Sequence, residues 1–257
     1  MQIQYIPTAD KVSVPIYWFC AQNPRATLLL QPALGIQAKL YCKLAEGLAE
    51  QGCATAILEQ RGHGLSSFRP GYKSNYSFNE TLDCDIPAAM NWLAAEVPGV
   101  PCCLGGHLST IYAGMHPQEI HGVVHLACAF PYINDYAGRQ QRMLQLLCGL
   151  IPLFSVAPGF YPGHLLGFGE RESLGMMNQW RQWAKTGNFD FDWRRGLAAA
   201  VNNFKGPVLS IGFEDDNFCT DSAVDRALAP YTQSTTHRVT LGEQEQGSYL
   251  GHSRWAR

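Results

Sequence analysis

The sequence of 257 residues is short of three things: charge of one sign, paired cysteine motifs and long hydrophobic runs. Only 16% of the residues are charged, and 19 basic against 21 acidic side chains leave a formal net charge of -2. No basic field is available to attract a phosphate backbone or an anionic lipid surface, so the expected partner is a small molecule rather than nucleic acid or membrane. The longest apolar stretches, such as 143–157, are too short and too interrupted to span a bilayer. Met1 to Ala9 lacks a basic start and is broken by Gln2, Gln4 and Pro7, which does not read as a secretory signal, and the expected location is the cytoplasm. Nine cysteines, at 20, 42, 53, 84, 102, 103, 128, 148 and 219, form no C-x-x-C pair, so neither a disulfide framework nor a zinc ribbon is expected. His121 and His125 have a metal-like spacing, but a strand would separate them by about 13 Å. No P-loop is present, and Gly105-Gly106 lacks the third glycine of a dinucleotide fingerprint, so no cofactor and no metal are expected.

What is present is apolar content, 46% of the chain, enough for the core of one α/β domain over 1–257. Short apolar runs alternate with longer helical stretches, the pattern of a mostly parallel sheet flanked by helices. Eight strands are expected near Ile3–Pro7, Val12–Phe19, Thr27–Gln31, Ala54–Glu59, Cys102–Gly105, Gly122–Ala127, Pro207–Gly212 and His237–Leu241. Helices are expected over 39–52, where Leu40, Leu44 and Leu48 share a face before Gly52, over 85–96, and from Ser109 to Met115. The alternation stops over roughly 130–205, which reads as an inserted helical cap. Met176, Met177, Trp180 and Trp183 recur there at helical spacing, as packing between cap and core or as a pocket lining.

Three features follow one another as in an α/β hydrolase: a turn after a strand near 106, an acid after a later strand near 215, and a histidine near the end at 252. The segments Pro32-Ala33-Leu34-Gly35-Ile36, Gln60-Arg61-Gly62-His63-Gly64-Leu65-Ser66, Gln179-Trp180-Arg181-Gln182-Trp183 and Leu250-Gly251-His252 resemble bacterial α/β hydrolases related to the serine aminopeptidase-like lipases. The resemblance implies an α/β-hydrolase fold and an esterase-like hydrolase of an ester, thioester or amide bond in a small apolar substrate. It also implies Asp215, in Gly212-Phe213-Glu214-Asp215, as the acid with Asp216 as its alternative, His252 as the base, and backbone N–H groups near Ala33 and Leu34 as oxyanion donors. The acid pair also has the position of a cap on the following helix.

The turn departs from the family. A nucleophile elbow requires small residues two before and two after its tip. Centring Gly105-Gly106-His107-Leu108-Ser109-Thr110 on Leu108 places Gly106 and Thr110 there, whereas centring on Ser109 places His107 and Ile111. Leucine is therefore expected at the tip, and Ser109, with its N–H as an oxyanion donor, becomes a nucleophile only if the turn shifts by one residue. Two other classes stay open: a catalytically inactive homologue binding a small ligand in the same cleft, and a cofactor-free lyase or proton-transfer enzyme using the His-Asp dyad. Arg61 and His63 read as loop anchors, and a homodimer is left open.

Overall fold

The computed structural model describes residues 1–155, 157–167, 169–191, 194–246 and 251–254. All eight expected strands form, with boundaries within about two residues of the sequence pattern: β1 (Gln2–Pro7), β2 (Ser13–Phe19), β3 (Ala26–Leu30), β4 (Cys53–Leu58), β5 (Cys102–Gly105), β6 (Gly122–Leu126), β7 (Val208–Phe213) and β8 (Thr236–Leu241). They join one sheet in the order β1-β2-β4-β3-β5-β6-β7-β8. β1 and β2 pair antiparallel, as do β2 and β4, and every later pairing is parallel. The central strands are buried on both faces, which is why they read as continuous apolar runs such as Ala54-Thr55-Ala56-Ile57-Leu58. The chain is an α/β-hydrolase fold.

Helices cover both faces. Helix α1 (Cys42–Glu50) follows a 3₁₀ turn at Ala38–Tyr41 and ends before Gly52, whose φ of +83° only glycine adopts readily. Helix α2 (Ile86–Glu96) buries Ile86, Ala89, Met90 and Leu93. It is entered through a turn at Phe78–Glu80 and a π segment at Thr81–Asp85 that the periodicity does not show. That entry is fixed by a reciprocal capping box, Ser77 accepting from the helix while the Glu80 carboxylate accepts the Ser77 N–H. Helix α3 (His107–Met115) begins two residues earlier than the expected Ser109.

Between β6 and β7 lie α4 (Gly138–Leu150), a two-stranded ribbon pairing Tyr161–Pro162 with Arg171–Glu172, α5 (Leu174–Thr186) and α6 (Leu197–Val201). Met176, Met177, Trp180 and Trp183 of α5 are all buried, in the same cluster as Leu104, Ile111 and Val123 of the sheet and α3. Their helical spacing therefore reflects packing onto the core. Trp183 is the centre of this contact, with Phe130, Phe189 and Phe191 around it at 4.9 to 6.1 Å between ring centroids.

Candidate active site

The site lies at the carboxyl ends of β5, β6 and β7, where the chain turns from strand to helix or loop. At the end of β5 the left-handed residue is Gly106, with φ +117° and ψ 168°, and α3 starts immediately after it at His107. This corrects the expectation that Leu108 forms the tip. Leu108 is the second residue of α3, half-buried against the core, and needs no unusual backbone. A Cβ at position 106 would lie 2.9 Å from the Gln31 carbonyl oxygen, so the turn requires glycine both for its dihedral and for its approach to the end of β3. The tip of the turn thus carries no side chain.

Ser109 sits in the first turn of α3 and is 1% exposed. Its Oγ lies 3.1 Å from the Gly105 carbonyl and 3.3 Å from Gln31 Oε1, both acceptors for its one proton. These contacts tie the helix to the turn. Ala33, expected as an oxyanion donor, gives its N–H to Tyr41 Oη at 3.0 Å. Gln60 Nε2 donates to the carbonyls of Pro32 and Ala33, both at 2.8 Å, so this loop is held in place from two sides. Leu34 packs against the main cluster. The helix itself offers donors: its N-cap, Gly106, has no side chain with which to cap α3, and first-turn N–H groups have no intrahelical acceptor.

The expected histidine meets an acid, and the acid is Asp216. His252 Nδ1 lies 2.8 Å from Asp216 Oδ2. The Asp216 side chain is fully buried, and its Oδ1 accepts the N–H groups of Phe218 at 2.9 Å and Cys219 at 3.2 Å. Those two bonds lie in the loop and fix the carboxylate so that Oδ2 faces the imidazole. The following helix, Asp221–Leu228, is capped by Thr220, which corrects the reading of the acid pair as its cap. Asp215 plays the neighbouring part, its Oδ1 accepting the Gly251 N–H at 3.2 Å and holding the backbone just before His252. Burial pushes the Asp216 carboxyl up, but its bond to His252 and the charge of that ring outweigh burial and hold it below the usual range. Leu250 lies outside the described residues.

Two further histidines surround the turn. His107 packs edge-on against Trp183 at 5.6 Å, and its Nε2 is buried with no hydrogen-bond partner among the described residues. Burial, together with the nearby His252, lowers its pKa to about 4, so it is neutral at physiological pH. His125, on β6, is fully buried, with Nε2 2.8 Å from Thr110 Oγ1, and burial lowers it to about 3. His121 Nδ1 instead accepts the Cys102 N–H at 3.3 Å, so the two histidines of the metal-like spacing face different partners.

Cys219 is a site residue that sequence reasoning passed over. Its Sγ lies 3.7 Å from His252 Nδ1. The only trace in the sequence is its place three residues after Asp216, on the loop that Asp216 caps. Burial and the Asp216 carboxylate push its thiol up. A cavity of about 410 Å³ is lined by Cys219 together with Cys128, Ser210, Phe213, Asp216 and Val224.

Arg61 and His63 face inward. The Arg61 guanidinium, 2% exposed, bridges Asp10 at 2.6 Å and Asp85 at 2.5 Å. His63 Nε2 lies 2.9 Å from Glu172 Oε1, with both side chains fully buried, which ties the ribbon between β6 and β7 to the loop after β4. Both residues serve as anchors of that loop.

No curated protein matches this chain in sequence. Solved structures match it in fold. DcsB in complex with its substrate analogue superposes with a TM-score of 0.68 at 15% identity, covering 100% of this chain and 93% of that one. A soluble variant of the Saccharomyces cerevisiae monoglyceride lipase gives 0.66 at 15% identity, covering 93% and 85%. The α/β hydrolase GrgF from Penicillium sp. sh18 gives 0.66 at 16% identity, covering 99% and 91%. Residues 22–194, which contain the turn but end before Asp216 and His252, match the family model described as serine aminopeptidase, S33, and the chain belongs to that family of α/β hydrolases.

Proposed function

We propose that this protein hydrolyses an ester, thioester or amide bond in a small apolar substrate, with His252 activating water directly in place of an attack by a serine. The observation that carries the reading is the Asp216–His252 pair beside a strand-to-helix turn whose tip is Gly106. Family membership supports the reaction class. With Nδ1–H donated to Asp216, Nε2 is the ring nitrogen that takes the proton from water. The resulting hydroxide adds to the acyl carbon, and the oxyanion is met by the N–H groups of His107 and Leu108 at the positive end of α3. Collapse returns the proton from Nε2 to the leaving oxygen, sulfur or nitrogen, releasing the acid and the alcohol, thiol or amine. Neutral His107, next to Trp183, keeps this side of the site apolar without adding a second positive charge.

The test is hydrolysis of p-nitrophenyl butyrate alongside a fluorophosphonate probe. The expected result is turnover that disappears in His252→Ala, survives in Ser109→Ala and leaves no covalent adduct. Labelling of Ser109 with loss of turnover in Ser109→Ala would overturn it. A second reading, a ligand-binding homologue, is favoured by the glycine tip, since the family's hydroxyl is missing from the turn. It predicts thermal stabilisation by an apolar acid such as butyrate with no turnover of any ester.

A further inference from the structure

The hydrolytic reading uses Asp216 and His252 but leaves Cys219 without a task, although its thiol lies against both. One ligand atom from each of these three side chains falls within 4.8 Å of the others: a carboxylate oxygen, a thiol sulfur and an imidazole nitrogen. We propose that Asp216, Cys219 and His252 form a binding site for a thiophilic divalent cation of the zinc type, which switches off the base.

The spacing favours such an ion. Tetrahedral coordination with metal–sulfur near 2.3 Å and metal–nitrogen near 2.0–2.1 Å sets the two ligand atoms roughly 3.5 Å apart. Cys219 Sγ and His252 Nδ1 are 3.7 Å apart. Asp216 Oδ2 and His252 Nδ1, at 2.8 Å, need to open by about 0.5 Å for the same geometry. Asp216 is already fixed by the Phe218 and Cys219 N–H groups on its other oxygen, so the carboxylate is oriented before the ion arrives. Sulfur with nitrogen and one carboxylate is a donor set that selects zinc-like ions over magnesium or calcium. The His252 side chain is 40% exposed, so water can reach the site as a fourth ligand.

Binding has a defined proton balance. The Cys219 thiol loses its proton to solvent and binds as thiolate. His252 stays neutral, but the ion takes the Nδ1 lone pair, so its proton resides on Nε2. An imidazole with Nε2–H cannot accept a proton from water, and the base is lost. Ion binding stands without the hydrolytic reading, whereas the inhibitory consequence rests on it.

Cobalt titration of the full chain after chelator treatment tests the site, because a thiolate ligand to Co²⁺ produces a near-ultraviolet charge-transfer band. One equivalent is expected to bind with that band, and Zn²⁺ is expected to displace it. The band should vanish in Cys219→Ala and in Cys219→Ser, persist in Cys20→Ala, which removes an exposed thiol, and require at least tenfold more Co²⁺ in Asp216→Asn. A wild-type protein without the band, or a band that survives both Cys219 variants with the fold intact by circular dichroism, overturns the site. In parallel, Zn²⁺ should inhibit ester turnover, with at least tenfold lower sensitivity in Cys219→Ala. A band accompanied by zinc-insensitive turnover overturns the inhibitory role, while absence of any turnover bears on the hydrolytic reading and leaves the cobalt result to decide the site.

Discussion

Asp216 Oδ2 and His252 Nδ1 meet at 2.8 Å across 36 positions of sequence, and the adjacent Asp215 holds the Gly251 N–H one residue before the ring. Two successive carboxylates therefore divide one task, one orienting the imidazole and the other its backbone. Asp216→Asn keeps the size of the side chain but favours the wrong tautomer, so kcat should fall by roughly 10²- to 10⁴-fold. Asp215→Asn retains an oxygen for the Gly251 N–H and should change kcat little. Steady-state kinetics on an activated ester separates the two, and a reversed order would assign the acid to Asp215.

The glycine tip carries a second prediction. Gly106→Ala forces an L residue into φ +117° and brings its Cβ within 2.9 Å of the Gln31 carbonyl oxygen. The strain should cost about 1–3 kcal/mol of stability, read from urea denaturation. It should also lower turnover, because the first N–H groups of α3 move with the turn. Ser109→Ala, by contrast, removes one buried hydrogen bond and should cost about 0.5–1.5 kcal/mol. A larger loss in the serine variant would contradict this division.

The same turn shows what the sequence could and could not convey. The eight strands were legible because the central strands are buried on both faces and are therefore continuous apolar runs. The size of the flanking residues points to Leu108, whereas the backbone places the positive φ at Gly106. The needed signal was present in Gly105-Gly106, since a second glycine at a strand end marks a positive φ. The choice between Asp215 and Asp216 was beyond pattern reading. It depends on which carboxylate caps the Phe218 and Cys219 N–H groups, a matter of loop geometry. The π segment before α2 was equally hidden, because it keeps Leu82 and Ile86 buried without a helical period of its own.

Buried neutral histidines make stability depend on acid. His125 titrates near 3 in the folded protein and His107 near 4, against 6.5 for the free side chain. Below pH 6.5 the unfolded chain takes up protons that the folded chain refuses, so stability is complete above that value and falls as the pH drops toward 4 and 3. Each group contributes a slope of up to about 1.4 kcal/mol per pH unit. His125→Gln retains a partner for Thr110 Oγ1 without a titrating group. Urea denaturation at pH 7.5, 5.5 and 4.5 should therefore show a shallower fall in this variant, and parallel curves would show that His125 is not the source.

Arg61 offers the sharpest stability contrast. Its guanidinium is 2% exposed and bonded to both Asp10 and Asp85, whereas Arg238 pairs with Asp221 and Asp225 at the surface. Arg61→Ala strands the buried Asp85 carboxylate, and breaking such a pair from one side costs about 3–5 kcal/mol. Arg238→Ala should cost about 0–1 kcal/mol, because water solvates the freed carboxylates. Removing the stranded charge as well, in Arg61→Ala with Asp85→Ala, should recover part of the first loss, since the penalty lies in the uncompensated ion. Denaturant midpoints of the four proteins give the comparison, and equal losses from Arg61→Ala and Arg238→Ala would show that the loop after β4 is held by its backbone and by the His63–Glu172 pair instead.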